Sequence, residues 1–120
     1  MTAPWLRPVR FMGDSREVLR EFPDEVKSEI GFALEEVQRG EKPVNAKPLK
    51  GIASGVLEIL SHSKGGAFRA VYTVRFASAV YVLHVFQKKS KRGIATPLRE
   101  IELIRRRLAQ AEKLDAEHGG

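Results

Sequence analysis

The run Val80-Tyr81-Val82-Leu83-His84-Val85-Phe86 is apolar at every position except His84. Successive side chains of a strand point to opposite faces, so a run like this must be covered on both, which is the situation of a strand inside a sheet. It is therefore expected to be the spine of a sheet. The uncharged apolar region around it, Phe76 to Phe86, is far shorter than the ~20 residues of a membrane span. The first residues, Met1-Thr2-Ala3-Pro4-Trp5-Leu6-Arg7, lack an apolar stretch of signal-peptide length.

The flanking segments supply the rest of such a sheet. Val56–Ser61 and Phe68–Phe76 are β-rich, and the next run spans Ala79–Gln87. The links Lys64-Gly65-Gly66 and Ala77-Ser78 are short, which predicts antiparallel neighbours. Leu6–Met12 is a further short extended segment that contains Pro8. Asp14 followed by Glu17 predicts a capping box opening a short helix with Val18, Leu19 and Phe22, which Pro23 ends. A second helix is expected from Asp24 to Arg39, with Val26, Ile30, Ala33, Leu34 and Val37 at helical spacing and Gly40 as its stop. Residues 41–55, with two prolines, two glycines and no periodicity, read as a long connection pinned by Leu49 and Ile52. Thr96 is a good N-cap and Pro97 a good first residue for a third helix. Leu98, Ile101, Ile104, Leu108 and Ala111 form its apolar stripe, Arg105, Arg106 and Arg107 point mainly elsewhere, and the tail 115–120 is expected to fray. The expected fold is α+β: a four-stranded, mainly antiparallel sheet with an N-terminal helical hairpin on one face and a C-terminal helix.

The 120 residues suit one domain, and 42% hydrophobic content is enough for a packed core. The absence of cysteine excludes a disulfide framework and thiolate chemistry, and with no export or membrane signal the expected compartment is the cytoplasm. Charge is distributed unevenly. Of the net +6, residues 1–40 carry −2, residues 41–60 carry +1, residues 61–99 carry +8 and residues 100–120 carry −1. The positive third contains Lys64, Arg69, Arg75, Lys88, Lys89, Lys91, Arg92 and Arg99 with no acid among them. A cationic island of this kind reads either as an anion-binding surface, with nucleic acid the first partner to consider, or as a solvated face that keeps the protein soluble.

The string Tyr81-Val82-Leu83-His84-Val85-Phe86-Gln87-Lys88-Lys89-Ser90-Lys91-Arg92, followed by Thr96-Pro97 and Glu100-Ile101, resembles the toxins of type II toxin–antitoxin systems in the RelE/ParE superfamily. It is most similar to their HigB-like, phage-derived branch, where a "VLHxFxKKs" strand end leads into "TPxxEIexAxxR". Leu57-Glu58-Ile59 and Phe68-Arg69-Ala70-Val71-Tyr72 are similar to the family's "LxEL…yRvxY" strands. The resemblance covers residues 9–110 and implies a RelE-like fold with residues 1–120 as one toxin domain. Two departures stand out: Leu60 occupies a place where many relatives carry Arg, and the segment 91–96 is longer than the compact family form.

The resemblance implies a ribonuclease that cleaves messenger RNA, usually on the ribosome, with no cofactor. It also implies an antitoxin partner, often with a helix-turn-helix DNA-binding domain. Attack of a ribose 2′-hydroxyl on its own phosphate needs a base, an acid and cations around the phosphorane, and no metal. The histidines His62, His84 and His118 show no metal-ligand spacing. Arg69 begins one strand and Lys88 and Lys89 end its neighbour, so antiparallel pairing gathers them at one sheet end. Arg69 is then the candidate transition-state clamp and Lys88 or Lys89 the proton-transfer group. Exposed cations there would contribute little to stability, within about 0.5 kcal/mol. Glu58 and His62 are further catalytic candidates, Glu58 reading first as a cross-strand partner of Arg69. Lys64, Arg75, Lys91 and Arg92 are candidate RNA-backbone contacts. His84, inside an apolar strand, reads as a hydrogen-bonded core residue. Two other readings share this fold: a ParE-like inhibitor of DNA gyrase that cuts no RNA, and a catalytically inactive module that still binds its antitoxin.

Overall fold

A computed structural model of the chain describes residues 6–63, 65–88 and 96–118. The elements in order are β1 (Val9–Phe11), α1 (Ser15–Arg20), α2 (Asp24–Gln38), β2 (Ala46–Pro48), β3 (Val56–Ser63), β4 (Gly66–Thr73), β5 (Val80–Lys88) and α3 (Leu98–His118). The strands form one sheet in the order β1-β5-β4-β3-β2, in which β1 runs parallel to β5 and the other pairs are antiparallel. As its composition requires, β5 lies inside the sheet, and its residues Val80 to Leu83 are fully buried.

The sheet has five strands, not four. The additional strand, β2, comes from the stretch read as a connection. Ala46, Lys47 and Pro48 pair with Ile59, Glu58 and Leu57 of β3, and Asn45 extends the pairing through both its backbone and its side chain to Leu60. Three residues are too few to show alternation. Pro48, which has no N–H to donate, fits only because β2 is an edge strand. Only the partner strand makes this segment a strand.

Two apolar layers cover the sheet. On one face Val18 and Leu19 of α1, Phe22 of the link and Val26, Ile30, Leu34 and Val37 of α2 pack with Ile59, Phe68, Ala70, Tyr72, Val80, Val82 and Val85. The apolar positions expected on α2 are all buried, and Gly40, at φ 87°, turns the chain out of the helix where an L side chain would be strained. On the other face Ile101, Ile104, Leu108, Ala111 and Leu114 of α3 pack on Val56, Val71, Tyr81, Leu83 and Phe86. Leu98, expected in this stripe, is exposed, and Pro97 rather than Thr96 accepts the first intrahelical bonds.

Two polar expectations change. Asp14 makes no capping bond with its side chain; its carboxylate instead accepts from Arg107 at 3.0 Å. The tail expected to fray from residue 115 is helical through His118. Asp115 is buried and accepts from the hydroxyls of Ser78 and Tyr81, which ties the end of α3 to the start of β5. Asp115→Ala leaves the buried Tyr81 hydroxyl without this acceptor and should lower unfolding free energy in urea by about 1–3 kcal/mol. Exposed Glu117→Ala should change it by less than about 0.5 kcal/mol.

Candidate active site

The β-ladders assign each candidate side chain to a face. Lys47 on β2 stands opposite Glu58 on β3. Glu58 stands opposite Val71 on β4, and Arg69 is two residues along from Val71 on the same face. Arg69 stands opposite Phe86 on β5, and Lys88 is again two residues along. Lys47, Glu58, Arg69 and Lys88 therefore form a diagonal row across four strands, on the face that carries α3.

For Lys88 to join this row, β5 must break its own alternation. Tyr81 and Leu83 face α3, and strict alternation would send His84, Phe86 and Lys88 to the opposite face. The register between β4 and β5 slips by one: Tyr72 pairs with Val82, Val71 pairs with His84, and Leu83 has no partner on β4. This β-bulge turns both Leu83 and His84 toward α3 and carries Phe86 and Lys88 with them.

Burial sets the electrostatics of the row. Glu58 is 2% exposed, while Arg69 and Lys88 are each 6% exposed, so the expectation of solvated cations at a sheet end does not hold. Arg69 Nη1 donates to both carboxylate oxygens of Glu58, at 3.0 and 3.1 Å, and Lys47 Nζ approaches the same carboxylate at 3.9 Å. Arg69 Nε is buried with no hydrogen-bond partner among the described residues. Burial lowers the Lys88 pKa from its ordinary 10.5, Arg69 and then Lys47 lower it further, and Glu58 works in the opposite direction. A buried lysine among cations is a group that can give up and regain a proton.

Beside Glu58 lies a cleft of about 480 Å³, walled by Pro48, Leu49 and Ile101 and rimmed by Lys47, Lys50 and Arg105, with Thr96 at its edge. Arg105 also donates to the Gly51 carbonyl, which fastens α3 to the stretch after β2. Sequence reasoning missed Lys47, Lys50 and Arg105. The two lysines sit in a segment without periodicity, and the arginine belongs to a triplet whose members cannot be told apart before α3 is docked.

The remaining candidates are distributed as follows. His62 is exposed and on the α3 face, with Ala67 between it and Lys88 in the register, roughly 10 Å away by strand spacing. Arg75 is exposed beyond the far end of β4, over the Phe76 ring, so the structure does not bring it to the row. Lys64, Lys89, Lys91 and Arg92 lie outside the described residues. Among the described residues, no three His, Asp or Glu side chains come together as a metal-binding group.

Two outcomes follow from this burial. Arg69→Met removes both hydrogen bonds that Arg69 Nη1 gives the buried Glu58 carboxylate and should destabilise the protein by about 3 kcal/mol in chemical denaturation, whereas the double change Glu58→Leu/Arg69→Met should recover most of that loss. The second outcome concerns pH. Below its lowered pKa, Lys88 is charged in both folded and unfolded chains and its burial opposes folding. As pH rises through that pKa toward 10.5, the folded state releases the proton first and the wild type gains stability. Lys88→Met should thus be the more stable protein at neutral pH, with an advantage that shrinks across this window in paired urea titrations. Tyr72, pushed up to about 12 by burial, acts equally in both proteins and cancels in the difference.

Comparison with known proteins adds the following. No curated protein matches the chain. Among solved structures, a chain of the RelBE2 toxin–antitoxin complex from Mycobacterium tuberculosis aligns with a TM-score of 0.47 at 24% identity, covering 68% of this chain and 98% of that one. The profile described as phage-derived protein Gp49-like (DUF891) matches residues 17–109. That match takes in part of α1, all of α2, the charged row and more than half of α3, and the chain belongs to the Gp49-like family.

Proposed function

We propose that this chain is the toxin of a type II toxin–antitoxin pair, of the HigB-like kind, and that it cleaves messenger RNA on the ribosome by metal-independent attack of a ribose 2′-hydroxyl on the adjacent phosphate. The observation that carries this reading is Lys88, buried with a lowered pKa in one row with Arg69 and Glu58, whose Glu58 end lines a cleft rimmed by three further cations. Gp49-like family membership and the resemblance of the Tyr81–Arg92 string support it.

In this mechanism Lys88 exchanges the proton with the reacting oxygens and Arg69 supplies positive charge to the phosphorane. Glu58 is the positioning residue that holds the guanidinium in place, which is why Arg69 serves better as a fixed charge than as a mobile phosphate clamp. Lys47, Lys50 and Arg105 attract the flanking phosphates, and Lys64, Lys89, Lys91 and Arg92 are further cations of the acid-free sequence segment available to the RNA backbone. The neutralising partner is an antitoxin with a helix-turn-helix domain, and the site of action is the cytoplasm.

Induced expression without the antitoxin should stop growth and translation while DNA supercoiling stays normal, and primer extension on translated mRNA should reveal new 5′ ends. Lys88→Met should abolish the cuts. Lys88→Arg should not restore them, because a guanidinium keeps its proton at any working pH. Cleavage should persist in a chelator. Gyrase-linked DNA damage with intact messages would replace this reading with gyrase inhibition, and absence of growth arrest would replace it with a module that only binds its antitoxin.

A further inference from the structure

His84 and Glu100 belong to the string that resembles the toxin family and Arg107 lies two turns further along α3, yet the chemistry above uses none of them. The structure joins them into one network. His84 Nε2 lies 2.7 Å from Glu100 Oε1, and its Nδ1 lies 3.4 Å from Arg107 Nη1. A guanidinium can only donate, so Nδ1 accepts from it and the ring proton sits on Nε2, facing the carboxylate. The ring is also stacked on Phe86 at 4.9 Å.

Arg107 was expected to point away from the core, but its side chain is only 12% exposed. Nη1 donates at 3.1 Å to the carbonyl oxygen of Leu83, the residue left without a partner on β4 by the bulge. Nη2 donates to Asp14 at 3.0 Å, and the Ser15 hydroxyl lies 3.5 Å from Nη1. The chain before α1 is shaped around this guanidinium. Gly13 has φ 56°, and a Cβ there would fall 2.5 Å from Arg107 Cζ, so only glycine leaves the slot open. A buried carbonyl needs a donor, and at the residue that the bulge leaves without a partner on β4 Arg107 supplies one.

We infer that Arg107 is a positioning residue: by bonding the bulged Leu83 carbonyl and the His84 ring from a slot closed by Gly13 and Asp14, it holds the bulge that turns Lys88 onto the face of Arg69. The guanidinium forms a bridge between α1, β5 and α3, and Glu100 anchors the same histidine from the first turn of α3. The catalytic half of the test rests on the nuclease reading above; the structural half does not.

The experiment compares the full chain with Arg107→Met and Arg107→Lys. It follows the Lys88 Cε and Nζ resonances across pH, the cross-strand contacts of His84 with Val71, and kcat and KM for RNA cleavage. In folded Arg107→Met the Lys88 titration should move up toward 10.5 and the His84–Val71 contacts should weaken. The kcat should fall roughly 100-fold with little change in KM, the size expected when a reacting group is misplaced by about an ångström. Arg107→Lys should not rescue it, because an ammonium lacks the planar fork that reaches Leu83 and Asp14 from two sides. If Arg107→Met does not fold, Arg107→Lys is read the same way. A folded variant that keeps the wild-type Lys88 titration and register overturns the inference, as does full rescue by lysine. If the resonances shift but the wild type cuts no RNA, the inference stands and the nuclease reading falls.

Discussion

A strand's side chains alternate with period two, so one extra residue in a ladder reverses the face of everything beyond it. In β5 that residue is Leu83, and the charged face depends on it. Before the bulge, Val80 and Val82 face the helical hairpin while Tyr81 and Leu83 face α3; after it, Val85 faces the hairpin while Phe86 joins the α3 layer. Both halves of β5 are apolar enough for either core to accept either parity. Lys88 can share a face with Arg69 and the Glu58 carboxylate only because the register slips between Val71 and Tyr72.

The row that results is poor material for stability. A buried ion pair recovers little more than its own desolvation, and here one carboxylate stands among Arg69, Lys88 and the half-exposed Lys47. Packing on the hairpin face and along the middle of α3 has to carry the fold; on the hairpin face the α2 stripe lies on an apolar layer, with buried Ser61 of β3 donating to Glu29 of α2. The α3 face is more mixed. Its helix is tethered by polar contacts along its length: Glu100 to His84, Arg105 to Gly51, Arg107 to Leu83 and Asp14, and Asp115 to Tyr81 and Ser78. Ile104, Leu108 and Ala111 fill the intervals. The first of these tethers lies on the turn whose Ile101 also lines the cleft, so the placement of that wall is coupled to the strand that carries Lys88.

Much of this architecture was legible in the chain. The interior position of Val80–Phe86, the buried stripe of α2, the antiparallel order of three strands and the pairing of Glu58 with Arg69 all follow from local periodicity and link length. The α+β class follows from them. What could not be read was whatever depends on a partner distant in sequence. β2 has only three residues and becomes a strand through β3. Asp14 matches a capping motif and is used for a salt bridge with a residue 93 positions away. Arg105, Arg106 and Arg107 look alike as a triplet, yet Arg105 reaches the Gly51 carbonyl and rims the cleft while Arg107 enters the bulge.

By itself, then, the amino-acid sequence determined which segments are apolar on one side or on both and where α2 starts and stops, because each of these depends on spacing within a few residues. Tertiary structure decided the burial of Arg69 and Lys88, the face on which Lys88 lies, and the roles of Lys47, Lys50 and Arg107. Those outcomes depend on a one-residue register slip and on the docking of α3, both set by a balance of contacts between segments that no local pattern contains.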